Sequence, residues 1–66
     1  MKMIYIVQGQ STGSNGGIIH WADNAYADEQ KAINACSNLC QLLKDDPNGF
    51  VYITGPIALI DKKREL

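Results

Sequence analysis

The sequence predicts a small α+β domain: an antiparallel sheet of three or four strands with one helix packed on one face, in the order ββα followed by one or two further strands. Three observations predict it. Two β-branched and aromatic runs flank a glycine-rich stretch near the start. An apolar pattern at three- and four-residue steps fills the middle. A third β-branched run follows a Pro/Asn/Gly turn. With 66 residues, the chain has room for one domain, residues 1–66, which buries only about 60% of its unfolded surface.

Residues 3–8 are β-branched and aromatic and read as the first strand. Gln8 to Gly17 then reads as a long loop that carries Gly9, Gly13, Gly16 and Gly17 and no charge. Loops of this length in compact domains are usually functional or disordered. Residues 18–22, or a little beyond, read as a second strand, antiparallel to the first, because Asn15-Gly16-Gly17 supplies the positive-φ positions of a return turn. Asp28 is the N-cap of a helix that runs to about Lys44, with Glu29 favourable in its first turn. Ala32, Ile33, Cys36, Leu39, Cys40 and Leu43 form its apolar stripe, and Ala35 and Leu42 widen that stripe beyond what one sheet face needs. Residues 45–49 stop the helix and turn the chain, and residues 50–54 are the third strand. Gly55-Pro56 interrupts it, so that residues 57–60 are either a fourth short strand or a continuation past a kink.

One helix covers one face of a sheet and leaves the other open. The simplest packing sets Ile4, Ile6, Val51 and Ile53 against the helix and leaves Tyr5, Phe50 and Tyr52 on the open face. Exposed aromatics on a sheet suit contact with protein, or base stacking where basic residues accompany them. The net charge is −1, which supplies no general attraction to nucleic acid or anionic lipid. Lys62-Lys63-Arg64, beside Asp61 and Glu65, reads as a solvated tail. No apolar run approaches a membrane span, and the first seven residues are too short for a signal-peptide core. Cys36 and Cys40 lie four apart on the helix, a poor disulfide geometry, and read as buried thiols of a cytoplasmic protein. With no disulfide and no metal cluster, association with another chain is the remaining route to stability at this size.

Catalytic signals are absent from the pattern. His20 is the sole histidine and has no nucleophile at a recognisable spacing, and Ser11, Thr12 and Ser14 have no adjacent base. The glycines match neither the dinucleotide nor the P-loop pattern, and the loop leads into a strand rather than a helix. The sequence therefore predicts no enzyme, no cofactor and no metal. It predicts a binding protein whose contacts come from the loop residues Ser11, Thr12 and Asn15 and the aromatic residues Tyr5, Trp21 and Tyr52. The alternative is an oligomeric small-ligand binder that sequesters a nucleotide signal through the glycine-rich loop.

Tyr5-Ile6-Val7-x-Gly9, the step Ser11-Thr12-Gly13, a strand carrying Trp21, and the helix entrance Tyr26-Ala27-Asp28-Glu29-x-Lys31-Ala32 together resemble short phage and prophage proteins. The resemblance spans roughly the first half of the chain. Asn15-Gly16-Gly17 departs from the charged turn that such proteins carry there. The resemblance implies an anti-defence, anti-CRISPR-like context: inhibition of a host protein or defence complex by contact, steric or allosteric.

Overall fold

The computed structural model describes residues 2–59. Strand β1 (Lys2–Thr12) and strand β2 (Ile18–Tyr26) form a hairpin, helix α1 (Glu29–Leu42) follows, and strand β3 (Phe50–Leu59) ends the described chain. The sheet order is β2-β1-β3, with β1 central and antiparallel to both neighbours. The two outer strands therefore run parallel to each other, and their connection must cross β1. A helix of 14 residues reaches about 21 Å at 1.5 Å per residue, enough to make that crossing. This is the expected α+β architecture, with three strands and a sheet that does not close. Ile60 and the basic stretch Lys62-Lys63-Arg64 lie outside the described residues.

The first strand is longer than its composition suggests. Gln8, Gln10, Ser11 and Thr12 are polar, yet each pairs within the sheet, and the expected ten-residue loop contracts to residues 13–17. Position 9 explains this. Gly9 lies opposite Trp21 on one side and Val51 on the other. A Cβ at Gly9 would strike the Phe50 carbonyl oxygen and sit 3.0 Å from the Trp21 ring. Glycine costs a strand side-chain packing, and here the indole of the neighbouring strand covers the gap. The short tip closes on itself. Gly13 N–H donates to the Gly17 carbonyl (2.6 Å), Gly16 N–H to the Gly13 carbonyl (3.0 Å), and Gly17 N–H to Asn15 Oδ1 (2.9 Å). Gly16 takes φ +87°, a conformation glycine adopts without a Cβ penalty.

Two irregularities set which side chains share a face. Val7 pairs with Asn24 and Gln8 with Ala22, so Asp23 is an extra residue in β2. Ile4 pairs with Ile57 and Ile6 with Thr54, so Tyr5 faces both Gly55 and Pro56. Gly55 has φ +142° and the Gly55–Pro56 peptide is cis. Residues 57–59 stay paired with β1, which makes them a continuation of β3 past a β-bulge, not a fourth strand.

The helix covers the face that carries Tyr5, Val7, Trp21, Tyr26, Val51 and Ile53. This corrects the expected packing of β1. Ile4 and Ile6 lie on the opposite face, and Tyr5 lies under the helix. Because side chains alternate strictly along a strand, the phase follows from one position: Gly9 under Trp21 places Val7 and Tyr5 on the helix side and Gln8 and Gln10 on the other. Val51 and Ile53 take the expected side.

Helix α1 begins at the expected cap. Asp28 Oδ1 accepts from Gln30 N–H (2.8 Å) and Lys31 N–H (3.4 Å), satisfying donors that the first turn leaves free. Ala32 is fully buried, with Ala35, Cys36, Leu39 and Leu43 packed around it. Ile33 and Cys40, expected in the stripe, are exposed instead, and Ala35 turns inward. Ala32 is the helix residue most fully enclosed against the sheet. Leu42 is 79% exposed.

Among the described residues, the buried hydrophobic side chains are Val7, Ala32 and Val51 alone. Replacing Gly9 should therefore register strongly on so small a core. Gly9→Ala is expected to destabilise the protein by roughly 1–3 kcal/mol through overpacking, measured by urea denaturation. An unchanged midpoint would show that the indole does not depend on that slot.

Candidate functional site

The face turned away from the helix is the largest chemical feature of the sheet. Its rungs follow from the register. Ile4 stands beside Ile57, Ile6 between Ala25 and Thr54, Gln8 between Ala22 and Tyr52, Gln10 between His20 and Phe50, and Thr12 beside Ile18. No charged residue occurs on these rungs. Phe50 is 59% exposed, Ile18 51% and Tyr52 41%. The Phe50 and Tyr52 rings lie on one side of β3 with centroids 5.6 Å apart at 35°, within the range of favourable aromatic pairs. Gln8 Nε2 donates to the Tyr52 hydroxyl at 2.7 Å, which ties the tyrosine to the central strand. The result is an apolar field with a polar row through its middle.

The six residues expected to make contacts do not form one patch. Tyr52 lies on the open face. Tyr5 and Trp21 are half-buried on the helix side, and Trp21 Nε1 donates to Ser11 Oγ at 3.0 Å. Asn15 occupies the hairpin tip, where its side chain holds Gly17 N–H. Thr12 ends the open face, but its hydroxyl is engaged: it donates to Asp46 Oδ1 (2.5 Å) and accepts from Asn48 Nδ2 (2.9 Å). Ile4, Ile6 and Ile18, absent from that expectation, belong to the face. Gln8 and Gln10 carried the signal: two glutamines in alternation mark the side of a central strand that does not enter the core.

Asp46 is the hub of a clasp between the α1–β3 turn and the end of β1. It accepts from Thr12 N–H (2.9 Å), the Thr12 hydroxyl and Asn48 N–H (2.9 Å), and Gln10 Nε2 donates to the Asn48 carbonyl (3.2 Å). Led by the Thr12 hydroxyl, these donors hold the Asp46 carboxyl below its ordinary range.

Other chemistry is sparse. Burial, with Cys40 adjacent, pushes the Cys36 thiol up, and a protonated thiol is a poor nucleophile and ligand. Tyr26 is likewise raised, chiefly because its hydroxyl donates to Asp23 Oδ2 (3.0 Å). Among the described residues no three His, Cys, Asp or Glu side chains gather as a metal site, and no helix is long and apolar enough to cross a membrane. An open groove of about 280 Å³ runs between the helix end, at Cys40 and Leu43, and the start of β3, at Phe50 and Val51. It lies away from the glycine tip, whose Gly13, Gly16 and Gly17 N–H groups are all spent within the turn.

No family model, curated protein or solved structure matches the chain.

Two expectations follow. Since the folded-state pKa of Asp46 is depressed, its contribution to stability is complete above the unfolded value and is lost as pH falls through the folded one. Stability should decline on acidification below about pH 4, and Asp46→Asn should flatten part of that decline in pH-dependent urea unfolding. Identical acid slopes for the two proteins would contradict the clasp. Cyclic and ADP-ribose-type nucleotides should leave the melting temperature unchanged, because the glycine N–H groups of the tip are already engaged within the turn. A rise that grows with ligand concentration would reinstate the sequestering alternative.

Proposed function

We propose that this chain is a non-enzymatic binding protein that acts by protein–protein contact through its open sheet face. The observation that carries this reading is the continuous field from Ile4 and Ile57 to Phe50 and Ile18, free of charge on every rung. Protein interfaces are depleted of charge at their centre and enriched in aromatic anchors, and Phe50 and Tyr52 fit that role. Nucleic acid is a poor fit to the same surface, since base-stacking sheets add cations along the backbone track. The hairpin tip, with Ser14 and Asn15 exposed, supplies a second, polar contact at one end of the sheet.

The resemblance to short phage proteins supports a host protein or defence complex as the target, inhibited by occupation of its surface. A catalytic role has little to build on. His20 lies on the open face beside Gln10, and among the described residues it shares no hydrogen bond with an acid or a nucleophile.

The test is quantitative capture of a host protein by the immobilised chain. Tyr52→Glu places a charge at the centre of the face and should weaken capture tenfold or more, about 1.4 kcal/mol. Lys31→Glu, on the exposed side of the helix, should leave it unchanged. Equal capture by the Tyr52→Glu chain would refute the face as the contact surface.

A further inference from the structure

We propose that the open sheet face pairs with the same face of a second copy of this chain, stacking two three-stranded sheets with the helices outside. The inference rests on the reading of that face as a protein-docking surface and names its occupant.

The core is the first argument. Among the described residues three hydrophobic side chains are buried, Val7, Ala32 and Val51, few even for a chain this small. Domains of this size ordinarily add disulfides, a metal or association. Cys36 and Cys40 are free thiols, and the described residues gather no metal site. Association remains. Whatever completes the core must be present whenever the chain folds, and a second copy always is.

Charge is the second argument. In a two-fold interface each patch meets itself, so a charge near the axis opposes its own copy. The rungs from Ile4 to Thr12 carry none. Their polar groups suit self-pairing: Gln8, Gln10 and the Tyr52 hydroxyl each combine donor and acceptor capacity. Charges sit at the margins instead, with Lys2 beyond Ile4 and Asp46 clasped beside Thr12.

Area is the third. Strands about 4.8 Å apart, rising about 3.3 Å per residue, with β1 present from Ile4 to Thr12 and each outer strand along roughly seven of those rungs, give a face of roughly 360 Å². Two copies bring together roughly 730 Å² of projected surface, which side-chain relief raises toward the roughly 1,000 Å² expected of a biological interface. Stacked sheets pack about 10 Å apart with interdigitating side chains, and the Phe50 and Tyr52 rings and the Ile4 and Ile6 side chains supply them. A host target then competes with the second copy for this same face.

Sedimentation equilibrium of the full chain tests this, with melting curves over about 1–200 µM, where an associating protein's melting temperature depends on concentration. The wild type should show twice the chain mass of 7.3 kDa and a melting temperature that rises with concentration. Phe50→Glu, at a position already exposed in the single chain, should sediment at 7.3 kDa with its dissociation constant raised at least tenfold. A wild type that stays at 7.3 kDa across the range, with constant melting temperature, overturns the pairing. So does a dimer untouched by both Phe50→Glu and Tyr52→Glu. Should those variants fail to fold, isotope-filtered NMR on a mixed-label wild-type sample decides. Contacts between the Phe50 or Tyr52 ring of one copy and the Ile4 or Ile6 methyls of the other support the pairing, and their absence overturns it. A monomeric wild type whose Tyr52→Glu variant still loses host capture leaves the docking face standing and removes only the second copy. A monomer whose variant captures undiminished ends both.

Discussion

The packing of the Trp21 indole over Gly9 is the contact on which the rest of the structure depends. β1 is the central strand, and both of its alternating side-chain sets begin apolar: Tyr5 and Val7 on one side, Ile4 and Ile6 on the other. Hydrophobicity alone leaves the phase of such a strand undecided. A glycine that must accept a ring on one face, with β3 pressed against it from the side, decides it. Val7 then becomes the fully buried centre, and the isoleucines turn outward with Gln8 and Gln10.

The size of the core and the character of the open face follow together. Tyr5, Val7 and Gly9 give the helix side a varied relief, and Ala32 lets the helix settle close over it. Only a narrow stripe of helix reaches the sheet, so few side chains are enclosed. The isoleucines that would have enlarged the core instead enrich the outer face. A fold that places its aliphatic residues this way leaves apolar surface open on its outer face. The Asp46 clasp belongs to the same logic. It pins the α1–β3 turn to the end of β1 with polar bonds where little apolar packing is available.

Much of the fold was legible from local chemistry. Asp28 announced the helix start because only a short acceptor there satisfies the first-turn donors, and the Asp45-to-Gly49 stretch announced its end. Phe50, Val51, Tyr52 and Ile53 read as a strand with the correct faces, since β-branched and aromatic residues alternate there without a competing signal. The reach of β1 to Thr12 was not legible: Gln, Ser, Thr and Gly are loop-forming by propensity, and two neighbouring strands override that preference by pairing both edges of the chain. The bulge at Asp23 was equally hidden, because it depends on the strand opposite, whereas Gly55-Pro56 marked its own interruption of β3 in the sequence. Of the candidate contact residues, Tyr52 was placed by its own strand. Tyr5 and Trp21 sit beneath the helix because Gly9, paired with Trp21, sets the phase of β1, a cross-strand relation that adjacency in sequence does not display.

Nuclear Overhauser spectroscopy of the folded protein tests the central claim, the phase of β1, most directly. Close contacts are expected from the Trp21 indole protons to the Gly9 α-protons and from the Val7 methyls to Ala32, with none between the Ile6 methyls and Ala32 or Ala35. Ile6 methyl contacts to Ala32 and Ala35, with Gly9 remote from the indole, would place the opposite face of β1 under the helix and contradict both the core and the docking face built on it.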